Sequence, residues 1–272
     1  MGGLMGATGK EESQRGDRTV NTIDIHVHHR WTDPSQPRPD HSLDQLKALA
    51  LRNGIGKVLL LTIAIDQSQE ATRKRNDATL RLMEEDPNFF LGACYLNATH
   101  DPEFSQQEAV RCVRAGMVAI KQHMDAFADD PRQDPISEVA AELDVPIVWH
   151  AWYKRSDKYP HESDASQIAR LARRTPRARY VMAHLTGVGR RGVQDVADLP
   201  NVWVDTSGCW PESEIVEYAV RHLGADRVVY GSDYVGRDYA VQLARVLGAG
   251  ILEEDREKIL WKNAASLLKL NR

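Results

Sequence analysis

The sequence predicts a single-domain (β/α)8 TIM barrel, and three observations carry that prediction. Eight short runs rich in branched residues alternate with longer segments whose apolar positions have helical spacing. Strict alternation of strand and helix implies a parallel sheet, because each crossover must return over a face of the sheet. Eight repeats in 272 residues favour closure over an open, doubly wound sheet, and no glycine-rich dinucleotide fingerprint follows the first strand.

The strands are read in order as "TIDIHV", "KVLLLTI", "FFLGACYL", "MVAIKQ", "VPIVWH", "RYVMAHL", "NVWVDTS" and "RVVYGSD". Between them lie "SLDQLKALALRNG", "ATRKRNDATLRLMEEDP", "FSQQEAVRCVRAG", "PISEVAAELD", "DASQIARLARRTP", "VQDVADLP" and "ESEIVEYAVRHLG", with Gly, Asp or Pro at their ends. The segment "EEDREKILWKNAASLLKL" reads as one closing helix. Residues 1–20, rich in Gly, Ser and charge, read as a flexible tail without a signal-peptide core, and 21–272 as the barrel. The segment "RWTDPSQPRPDH" reads as an active-site loop stiffened by its prolines.

Composition narrows the function. A net charge of −4 argues against nucleic acid or an anionic membrane as partner, since both call for a basic surplus. The arginines of "RLARRTPRAR" read as the solvated face of a helix. Three widely spaced cysteines make a disulfide framework improbable and fit a reducing, cytoplasmic setting. No run has transmembrane length. A small molecule is the expected partner, with a homodimer left open.

In a barrel of this kind the active site forms at the C-terminal ends of the strands. Those ends carry His26 and His28, Lys121 and His123, His150, His184 and Asp233. In a regular first strand Asp24, His26 and His28 share one face, and Ile23, Ile25 and Val27 the other. Imidazole and carboxylate are the usual ligands of zinc and related divalent ions. Any one of these histidines alone reads as a hydrogen-bonded core residue. Five strand ends bearing His, Lys or Asp, in a chain with 10 histidines, are much harder to obtain by chance.

The motifs "IDIHVH", "AIKQH", "IVWH", "VMAHLTG", "VWVDTSG", "VVYGSDY" and "NAASLLKL" follow in that order over about residues 21–270. This constellation resembles the amidohydrolase superfamily, and within it the compact amidohydrolase-related (amidohydrolase family 2) enzymes. The resemblance implies that His26, His28, His150 and Asp233 bind one divalent ion, zinc by expectation. It implies manganese or a second ion as the variant if Lys121 is carboxylated. An unmodified Lys121 would instead hold a substrate carboxylate, pair with Asp233, or form a structural ion pair with an acid such as Asp205. The resemblance casts His184 as catalytic acid, base or electrophile, or as a ligand as in other members, and Asp233 as ligand, general base or both.

A divalent ion lowers the pKa of bound water to about 7 and polarises a carbonyl, so hydrolysis of a C–O or C–N bond in a lactone, ester or amide is the leading expectation. Non-oxidative decarboxylation or hydration by the same family is the alternative, with a metal-dependent phosphoesterase or deoxyribonuclease ranked lower and a non-catalytic barrel lowest. Substrate contacts are expected from Lys121, His123, Tyr153, Arg190 and Trp210. Trp31, Trp152, His161 and Arg191 are further rim groups.

Overall fold

The computed structural model describes residues 22–29, 42–63, 66–154, 156, 158–210 and 212–270. The expected tail, the proline-bearing loop after the first strand and Trp31 lie outside the described residues. The strands are β1 (Thr22–Val27), β2 (Ile55–Leu60), β3 (Phe90–Tyr95), β4 (Ala119–Gln122), β5 (Ile147–Trp149), β6 (Tyr180–Met182), β7 (Val202–Asp205) and β8 (Val228–Val229). The helices after them are α1 (Leu43–Arg52), α2 (Gln69–Glu85), α3 (Pro102–Arg114), α4 (Asp134–Leu143), α5 (Ala165–Arg174), α6 (Leu185–Asp195), α7 (Ile215–Leu223) and α8 (Tyr239–Leu247). All neighbouring strands pair in parallel, in sequence order from β1 to β8. The barrel closes where Ile25 N donates to Tyr230 O at 3.1 Å and Asp233 N to His26 O at 2.8 Å.

Local signals explain the helix starts. Ser42 and Asp164 form capping boxes with Gln45 and Gln167, and Asp101 caps α3 just ahead of Pro102. Two expectations shift. The sixth helix begins at Leu185, directly after His184, rather than near Val193. An unforeseen helix, α8, comes after β8; its start is set by the Asp238 side chain, which accepts from Val241 N. The single closing helix is α9 (Glu253–Glu257), a π turn (Lys258–Lys262) and α10 (Asn263–Leu267).

The strands divide their side chains between two apolar regions. Register places Tyr95, Lys121, Val148, Val181 and Trp203 level with one another on one face. That face is the barrel interior. Its apolar part joins Ile23, Ile25, Leu59, Leu61, Ala119, Val148, Val181 and Val229 to Ala264, Ala265, Leu267 and Leu268 of the closing helix. The alternate positions, among them Val27, Val58, Leu60, Ile120, Trp149 and Val204, pack outward against the helices. No helix of the described residues is long and apolar enough to cross a membrane.

The first strand departs from the regular alternation. Asp24 pairs with Val58 and Val27 with Leu60, so Ile25 and His26 together oppose the single residue Leu59. This is a β-bulge, in which one extra residue reverses the facing of the residues after it. Ile25 therefore joins the interior cluster while Val27 packs outward. Asp24 does not share a face with His26 and His28 as expected.

Candidate metal centre and its hydrogen-bonded surroundings

The bulge sends His26 into the barrel, where it is fully buried. Its Nδ1 lies 2.7 Å from Asp205 Oδ2, and His28 Nδ1 lies 2.7 Å from the carbonyl oxygen of Leu61. With Nδ1–H donated to these acceptors, each ring turns an Nε2 lone pair inward. The two Nε2 atoms are 3.1 Å apart, and Asp233 Oδ1 lies 3.8 Å from the first and 3.5 Å from the second. Two lone pairs at that separation repel unless a cation or a proton lies between them. Burial, then the nearby Lys121 and imidazoles, holds His26 well below the usual histidine pKa, which disfavours the proton. A divalent cation resolves the conflict, and the nitrogen and oxygen donors of His26, His28 and Asp233, all within 4.8 Å of one another, suit one.

The carboxylate Asp205 is the hub that orients the His26 ring. It is fully buried, accepts from His26 Nδ1, and takes the backbone N–H groups of His184 at 2.9 Å and Ser207 at 3.0 Å. A carboxylate behind a ligating histidine fixes ring orientation and raises ligand basicity. The set His26, His184 and Asp205 also lies close together, but direct hydrogen bonds occupy its space. Gly231 permits the crowding, since a Cβ there would lie 2.9 Å from the Cβ of His26 and 3.1 Å from that of Asp205.

Asp233 and His184 both adopt left-handed backbone, with φ of 62° and 70°. Such conformations cost of order 1–3 kcal/mol and cluster at functional sites. Burial raises the Asp233 carboxyl to about 7.

His150 occupies a second, adjoining network. Its Nε2 lies 2.9 Å from Glu162 Oε1 and its Nδ1 3.1 Å from His184 Nε2. Both ring nitrogens are thus engaged, and the ring stands apart from the close set formed by His26, His28 and Asp233. Joining that set requires it to leave one of its partners. Burial alone would raise Glu162, but the hydrogen bonds from His150 and Lys154 hold it below the usual carboxylate range. Burial lowers His150 despite Glu162, so the pair is a carboxylate and a neutral ring.

Lys121 is fully buried at the end of β4, and its Nζ has no hydrogen-bond partner among the described residues. Burial pushes it down to about 8 against the pull of Asp205 and Asp233. His123 lies beside His150, with ring centroids 5.0 Å apart. Trp210 stands at the rim, half exposed. Two expected contacts are turned elsewhere: the Tyr153 hydroxyl bonds Asp195 of α6, and Arg190 binds Ser213 O and Glu212 on the surface. His161 packs edge-on against Phe127.

Glu162 carries no signal that sequence reasoning picks out, and Ser207 lies within the motif "VWVDTSG" without being singled out by it. Glu162 lies in an irregular loop with no periodicity to mark it, and its one available clue is an acid 12 residues beyond a strand-end histidine. Asp205 ends β7, so the strand-end rule admits it, yet its role is to orient His26 rather than to pair with Lys121.

The amidohydrolase family model matches residues 23–270. The chain is 25% identical over 259 residues to γ-resorcylate decarboxylase of Polaromonas sp., covering 76% of this chain and 78% of that one. Among solved structures it resembles 2,6-dihydroxybenzoate decarboxylase from Rhizobium (TM-score 0.75, 21% identity, 93% of this chain and 99% of that one). It also resembles a dihydroxybenzoic acid decarboxylase from Polaromonas sp. with bound manganese and the inhibitor 2-nitroresorcinol (TM-score 0.73, 21% identity, 93% and 98%). These likenesses overturn the expectation of hydrolysis, since all three relatives are decarboxylases. The physical reason is that strand-end imidazole and carboxylate donors suit a cation without specifying which substrate bond breaks. Zinc likewise has no support over manganese.

Proposed function

The chain belongs to the amidohydrolase family, and from that premise we propose that it is a metal-dependent, non-oxidative decarboxylase of a small aromatic acid bearing ring hydroxyl groups. The observation that carries this reading is the likeness, along about three quarters of the chain, to γ-resorcylate decarboxylase. The proposed ligands are His26, His28 and Asp233. Their donor set suits manganese and zinc alike, and the manganese in a similar structure makes that ion the first to test. When bound, the ion supplies Lewis acidity toward substrate oxygens.

The remaining chemistry falls to the chain's own groups. As CO2 departs, the electron pair of the broken C–C bond stays on the ring carbon and ends in a new C–H bond, so each turnover consumes one proton. Asp233 and His184 are the groups proposed to hold and move that proton. The buried ammonium of Lys121, unmodified in this reading, has donors to spare for a substrate oxygen. His123 and Trp210 are proposed to flank the substrate. Burial of Lys121 and His184 lowers the dielectric around them and strengthens their interactions.

The test is CO2 release by manganese-loaded protein from 2,6-dihydroxybenzoate and other hydroxybenzoates. The expected result is release that His26→Ala abolishes. Failure of fully loaded protein to release CO2 from any of them would overturn the reading.

A further inference from the structure

Trp152 lies two residues past His150 and is 6% exposed. Its indole rests beside both imidazoles of the second network, with ring centroids 5.0 Å from His184 and, in stacked orientation, 6.4 Å from His150. Trp210 meets it edge-on at 5.4 Å and is 47% exposed, so the two indoles form a wall leading from the imidazoles to solvent. The placement depends on Gly187 in the first turn of α6. A Cβ there would lie 2.7–2.9 Å from three atoms of the indole.

Within this wall the Trp152 Nε1–H is buried and has no hydrogen-bond partner among the described residues. A buried donor left unmade is costly, and native indoles in such places usually have an acceptor. An indole N–H can only donate, so the missing partner must bring a lone pair.

We propose that Trp152 is a specificity-determining residue: its indole packs against the aromatic ring of the substrate, and its Nε1–H donates to a ring hydroxyl or phenolate oxygen. The substrate class rests on the decarboxylase reading, whereas the orphaned donor is a property of the chain itself. The assignment predicts discrimination by ring oxygens, with ring acids lacking a hydroxyl bound less well.

The test uses Trp152→Phe, which keeps an aromatic ring against Gly187 and removes the donor. Calorimetric titration of manganese-loaded protein with 2-nitroresorcinol is expected to show binding about tenfold weaker in the variant, the size of one buried hydrogen bond. Nitrobenzene, which lacks the hydroxyls, is expected to bind both proteins alike. Equal affinity of the two proteins for 2-nitroresorcinol would overturn the assignment. So would an equal loss for both ligands, which marks a packing defect. If Trp152→Phe does not fold, Gly187→Ala, which displaces the whole indole, is expected to weaken both ligands and 2-nitroresorcinol the more, and unchanged 2-nitroresorcinol binding in that variant would overturn the assignment. Wild-type protein that binds 2-nitroresorcinol but releases no CO2 from hydroxybenzoates would overturn the decarboxylase reading and leave the role of Trp152 standing.

Discussion

The two imidazole groups at the end of this barrel differ in what holds their second nitrogen. His26 and His28 each spend Nδ1 on a buried acceptor, Asp205 or the Leu61 carbonyl, and so present two Nε2 atoms to one point beside Asp233. His150 spends Nε2 on Glu162 and turns Nδ1 to His184. Rings of the same chemistry thus converge on one point in one place and form a hydrogen-bonded chain in the other. The groups behind the rings decide which, and strand position does not.

Substitutions can break or sharpen that contrast. The largest expected effect is that of His26→Ala. Metal content measured by elemental analysis should fall far below one ion per chain, a loss beyond the roughly 10–100-fold in affinity that an outer partner is worth. Asp205→Asn keeps every ligand but weakens the acceptor behind His26, and should reduce metal affinity by about 10–100-fold in a competition titration against a chelator. Retention of full affinity would mean that Asp205 does not orient the ring.

Gly231→Ala tests the same region through packing alone. Its methyl group would press on His26 and Asp205, and overpacking of this kind costs about 1–3 kcal/mol in denaturant unfolding. The smallest effect belongs to the other network. Glu162→Gln should leave metal content unchanged and cost on the order of 1 kcal/mol of stability, the net worth of a buried hydrogen bond. Loss of metal in that variant would erase the distinction between the two groups.

Much of this is legible in the sequence because strand and helix leave different periodicities. Branched runs alternating with helical spacing specify the barrel, and the strand-end rule then selects His26, His28, Lys121, His150, His184 and Asp233 without reference to any contact. Three features are hidden for physical reasons. The β1 bulge is a matter of register against β2, which no single-strand pattern encodes, so simple alternation gives Asp24 the wrong face. Helix α8 is short, and its apolar residues come close enough after the strand-like "VVYGSDY" to blur the boundary. Glu162 sits in a loop, where side-chain position depends on tertiary contact alone. The bond that is broken is also hidden, because the cation set is compatible with more than one reaction.

Crystals grown with manganese and measured for anomalous scattering would test the cation site most directly. The expected result is one peak within about 2.3 Å of His26 Nε2, His28 Nε2 and an Asp233 carboxylate oxygen. A peak between His184 and Asp205 instead, or none near His26 in manganese-saturated crystals, would contradict it.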